Sequence, residues 1–81
     1  MIRLGTPYYA ICFRYESGRR VISTLPVAQR RMTRSAVKQW LREHAPRNTY
    51  ETRAEAERAF NSMPNDLQRV CIVTELTPMF L

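Results

Sequence analysis

A chain of 81 residues has room for one domain around one small core, which excludes multidomain machinery and most large catalytic scaffolds. Hydrophobic residues make up 44% and only two glycines occur, the composition of a folded globule rather than a flexible chain. Thirteen Lys and Arg against seven Asp and Glu give a net charge of +6, and twelve of the thirteen are arginine, the side chain best shaped for carboxylate or phosphate. The balance favours an anionic partner.

The apolar stretch from Ile2 to Phe13 is interrupted by Arg3 and Pro7 and closed by Arg14, so it does not read as a signal peptide. No run approaches the roughly 18 apolar residues of a membrane span. The expectation is a soluble, cytoplasmic protein without a membrane partner. Cys12 and Cys71 each sit in an apolar, strand-like run and read as reduced core thiols, with one bridge between adjacent strands as the alternative. With His44 as its one histidine and no close cysteine pair, the chain is expected to hold neither zinc nor another cofactor.

From Tyr8 to Glu16 the chain alternates, with Tyr9, Ile11, Phe13 and Tyr15 on one side, which predicts a strand with one apolar face. Ser17-Gly18 reads as a turn and Arg19 to Leu25 as the returning strand of a hairpin, closed by Pro26. Pro26 to Met32 reads as a connection. Thr33 is a good helix N-cap, Met32 can staple onto Val37, and Ala36, Val37, Trp40, Leu41 and His44 recur at helical spacing, predicting a helix over Arg34 to His44. Thr52 opens a second helix with a capping box to Glu55, running to about Met63 before Pro64, with Ala56, Ala59, Phe60 and Met63 inward. Arg53 with Glu57 and Glu55 with Arg58 are candidate ion pairs on its surface. Gln68 to Leu76, apolar without interruption from Val70 to Val73, predicts a central strand covered on both faces. The tail Met79-Phe80-Leu81 is expected to close the core, or else to meet a partner.

The predicted order is β-β-α-α-β, with room for an additional short strand at Asn48 to Tyr50. Residues 1–81 would form one small α+β two-layer domain, its helices packed on one face of a three- or four-stranded sheet.

The most informative chemistry is electrostatic. Arg30, Arg34, Lys38 and Arg42 recur every four residues, with Arg31 beside them. Like charges at i and i+4 are locally unfavourable, so acids elsewhere in the fold or an anionic ligand must offset them. Residues 1 to 50 carry net +8 and residues 51 to 81 net −2, so the second helix, through Glu51, Glu55 or Glu57, either neutralises this stripe or leaves it bare. Arg19 and Arg20 at the hairpin are further candidates for phosphate contact, although basic residues also protect exposed strand edges. A ribbon bearing Tyr8, Arg14, Arg19 and Arg20 suits a groove of DNA, and Tyr8, Tyr9 and Tyr15 suit stacking on bases, against the plainer role of cross-strand packing. A helix-turn-helix is disfavoured, because Ala45 to Glu51 is too long a turn and the would-be reading helix carries Glu55 and Glu57.

The segments YYAICFRYESGRRVIST and YETRAEAERAF are similar to the sheet and following helix of the arm-binding N-terminal domains of phage-type integrases. Leu25 to Thr49, with its extra helix, departs from that pattern, so no binding residue and no family is carried over. His44 reads as a packed or capping side chain, and neither cysteine lies in an activating context, so no enzyme is expected. The sequence therefore points to a small basic binding protein that uses Arg30, Arg31, Arg34, Lys38 and Arg42, with Arg19 and Arg20, on an anionic macromolecule. Nucleic-acid backbone is slightly favoured. The alternative is a regulator or inhibitor, of the kind phages and other mobile elements encode, that docks on an acidic protein surface; a homodimer is the third reading.

Overall fold

The computed structural model describes residues 5–14 and 21–78. Strand β1 spans Tyr8–Phe13, followed by a 3-10 turn at Ile22–Thr24, helices α1 (Val27–His44), α2 (Arg53–Asn61) and α3 (Asn65–Gln68), and strand β2 (Cys71–Leu76). β1 and β2 form a two-stranded antiparallel sheet with Tyr8 opposite Leu76 and Phe13 opposite Cys71. The α+β class and the packing of helices on a sheet are as expected, but the sheet is not three- or four-stranded.

Two expectations account for the difference. The returning hairpin strand does not form in the described part of Arg19 to Leu25. The Thr24 hydroxyl donates to the Val21 carbonyl at 2.7 Å, and the Thr24 and Leu25 amides turn back to Val21 and Ile22. This local turn drives Ile22 into the core at 1% exposure, so the β-branched run serves as a plug instead of a strand. The Ser17-Gly18 turn, Tyr15, Arg19, Arg20 and the tail Met79 to Leu81 lie outside the described residues. Asn48 to Tyr50 contributes one bridge, Tyr9 to Tyr50, rather than a strand. β1 thus has neighbours on both edges, whereas β2, expected at the centre, pairs only with β1 among the described residues.

The β1 alternation holds in part. Ile11 and Phe13 join Cys71, Ile22, Val37, Met63, Leu67 and Val70 in the core, with Trp40, Leu41, Ala59 and Phe60 packed against it. Tyr8, Ala10 and Cys12 share the opposite face with Leu76, Thr74 and Ile72; of these six, Ala10 is buried and the others half-buried. Cys12 and Cys71 lie on opposite faces of the sheet and form no bridge with each other; Cys71 joins the core as expected, whereas Cys12 is half-buried on the other face.

Helix α1 begins seven residues before the expected Arg34. Pro26 occupies its N-cap, and Val27 to Met32 contains good helix formers, so Thr33 is absorbed into the interior at a cost of only tenths of a kcal/mol. The expected staple is absent, for Met32 is 71% exposed. α2 starts as predicted, with the Glu55 amide donating to Thr52 Oγ1 at 3.2 Å. It stops at Asn61, and the short α3 then delivers Leu67 to the core.

Candidate functional site

The predicted basic ladder falls on α1, but not as one stripe. A step of four residues turns an α-helix by about 40° beyond a full turn, so Arg30 and Arg42 differ by about 120° around the axis. Arg30 and Arg34 lie close in angle to the buried Val37 and are half-buried; Arg31, Lys38 and Arg42 are exposed. The Arg34 guanidinium carbon stands 4.7 Å from the centroid of the Phe13 ring, a cation–π contact that ties this arginine to β1. Sequence spacing joined five cations, and the fold divides them into two that pack and three that face outward.

Between the 3-10 turn and the first turns of α1 lies a groove of about 290 Å³ lined by Ile22, Ser23, Val27, Arg30, Arg31 and Arg34. Its wall is apolar at Ile22 and Val27 and cationic along α1, and Val27 is 56% exposed. Ile22, Ser23 and Val27 were not candidates, because their place beside the arginines depends on the turn and on the early start of α1.

Charge compensation is sparse. Glu43 is the one acid on α1, at least about 100° around the helix from Arg31, Lys38 and Arg42, and it accepts from Gln39 Nε2 at 3.2 Å. Among the described residues no acid forms an ion pair with Arg30, Arg31, Lys38 or Arg42. The acids of α2 do not neutralise them. Nor do the predicted pairs within α2 form, and Arg53 instead lies 5.2 Å from the centroid of the Tyr9 ring. Arg30 and Arg31 also stand near the positive end of the α1 dipole, where no acidic residue occupies the first turn.

The candidates on the sheet have structural duties. Arg14 is half-buried and its Nε donates to the Cys71 carbonyl at 3.3 Å. The Tyr9 hydroxyl donates to Glu75 Oε2 at 2.9 Å; that bond, with smaller effects of burial and of the Glu75 charge, holds the phenol above its ordinary pKa, against the opposing pull of Arg53. Tyr50 is likewise raised, by burial. His44 is exposed rather than part of the buried stripe, with its ring stacked 4.8 Å from that of Trp40 and its Nδ1 3.1 Å from the Trp40 carbonyl.

Among the described residues no three His, Cys, Asp or Glu side chains gather as a metal site, and no helix is long and apolar enough to cross a membrane. Comparison of the chain with protein-family models, curated proteins and solved structures gives no match.

Proposed function

We propose that this chain is a small non-enzymatic protein that lays α1 against the backbone of a nucleic acid. The observation that carries this reading is the outward line of Arg31, Lys38 and Arg42, exposed and without acidic partners among the described residues, continued by the arginine-lined groove at Arg30 and Arg34. Arg31 and Arg42 are about 16 Å apart along the helix, a length over which one strand of B-DNA carries about five phosphates. Like charges on successive turns and two cations at the positive helix end are locally unfavourable, and phosphate relieves both. Such contacts fix position without reading sequence.

The apolar wall at Ile22 and Val27 supports the second reading, an acidic protein surface, since arginines beside an apolar groove suit carboxylates flanked by apolar side chains. Fluorescence anisotropy with short labelled double- and single-stranded DNA and RNA separates the two. Three to five phosphate contacts predict that duplex affinity falls roughly forty- to five-hundredfold between 50 and 200 mM salt. The double variant Lys38→Glu, Arg42→Glu keeps its circular dichroism, because both side chains are exposed, and loses this binding. Absence of binding at the lower salt, or wild-type binding by the folded double variant, overturns the nucleic-acid reading.

A further inference from the structure

The two edges of the sheet are treated differently. The outer edge of β1 is closed, with Tyr9 exchanging both backbone bonds with Tyr50 at 2.8 Å and Ile11 giving its amide and carbonyl to the Asn48 side chain at 2.9 and 2.8 Å. The outer edge of β2 is capped at its start, where Arg14 Nε donates to the Cys71 carbonyl, but among the described residues nothing pairs with it at Val73 and Glu75. The Arg14 amide donates to Val70, so the even-numbered residues of β2 face β1, and by alternation the amides and carbonyls of Val73 and Glu75 point to the open edge. The strand carries one charge, the exposed Glu75, but no proline, lysine or arginine, and its register is unbroken.

We infer that β2 is the pairing strand of a symmetric homodimer, joined antiparallel to β2 of a second copy with the two-fold axis at Thr74. A second copy is singled out by the strand's complementarity to itself. Centred on Thr74, each Val73 opposes Glu75 of the other copy, and these are the residues with outward amides and carbonyls, so four backbone bonds form. On the face away from the core, Ile72 meets Leu76 of the other copy twice, on either side of a Thr74 to Thr74 contact, a favourable set of cross-strand pairs. No like charges oppose each other; centred one residue later, the strand would set Glu75 against itself. The half-buried face of Tyr8, Cys12, Ile72 and Leu76 becomes continuous across four strands in the order β1-β2-β2-β1. An isologous interface requires one patch that fits itself, and β2 meets that condition.

Sedimentation equilibrium over a concentration series from low micromolar to near-millimolar tests this on the full chain. The wild type is expected to pass from monomer to dimer. Thr74→Lys and Thr74→Glu each place a like-charge pair on the axis and weaken association roughly fivefold or more, the scale of one such cross-strand pair, whereas an equal mixture of the two regains it. A wild type that remains monomeric throughout overturns the inference, and so does undiminished association by either variant or a mixture no tighter than its parts. Val73→Pro removes an outward amide that the internal ladder does not use. It decides the matter where a charge at position 74 unfolds the chain: a folded monomer supports the β2 interface, and a folded dimer rejects it.

Discussion

Asn48 shows how one side chain substitutes for a strand. Its backbone holds φ at 46°, a left-handed conformation that asparagine tolerates better than most residues, and this turns the amide toward Ile11. Oδ1 then accepts from the Ile11 amide while Nδ2 donates to its carbonyl, the two bonds a neighbouring strand would make. Asn48→Ala removes both and leaves a Cβ in the left-handed region, so it is expected to cost about 2 to 3 kcal/mol; Asn48→Gly loses the bonds without that strain and is expected to cost roughly 1 kcal/mol less. Urea denaturation of the three proteins checks the order. An alanine variant as stable as the wild type would show that water replaces the amide without loss. The sequence places Asn48 in a possible short strand but does not show its side chain taking a strand's part, because its partner is 37 positions away.

For α1, packing and binding fall on different residues of one helix. Arg34 lies over Phe13, so Arg34→Ala is expected to cost about 0.5 to 1 kcal/mol of stability, whereas Lys38→Ala is expected to leave stability within about 0.5 kcal/mol and to weaken nucleic-acid binding. Thermal unfolding and anisotropy on the same two variants measure the separation; equal stability losses would mean that the Phe13 contact contributes nothing. Four-residue spacing made the cations legible, since it depends on sequence alone. Their division was not legible, because it depends on where β1 crosses beneath α1. The start of α2 was readable, its cap bond being local to Thr52 and Glu55. The start of α1 was not, because Thr33 has the chemistry of a cap but is preceded by residues that already favour helix. The strand predicted after Ser17-Gly18 failed for a related reason: Val21, Ile22 and Thr24 suit a strand, yet three local bonds and the burial of Ile22 favour a turn. Continuous apolar character misplaced β2 as well, since Val70 and Cys71 are covered at one end of the strand, next to α3, while the edge beyond them has no partner strand among the described residues.

At the scale of the whole molecule, the charge of +6 acts in opposite directions on the two associations proposed. The chain measures 37 × 23 × 18 Å, and α1 alone is about 27 Å long and carries five of the thirteen Lys and Arg. Nucleic-acid binding releases counterions and must weaken as salt rises. Dimerisation through β2 brings together two chains of like charge with no ion pair across the proposed seam, and salt screens their repulsion. The dimer is therefore expected to tighten, or at least to hold, between 50 and 200 mM salt, the range over which duplex binding falls by one to three orders of magnitude. Sedimentation and anisotropy in matched buffers read both trends. Parallel weakening would place the self-association on charged side chains, with Arg31, Lys38 or Arg42 of one copy meeting acids such as Glu43 or Glu57 of another, and would remove β2 from the interface. Opposite trends would require a seam held without ion pairs, and the backbone bonds and apolar pairs along β2 meet that requirement.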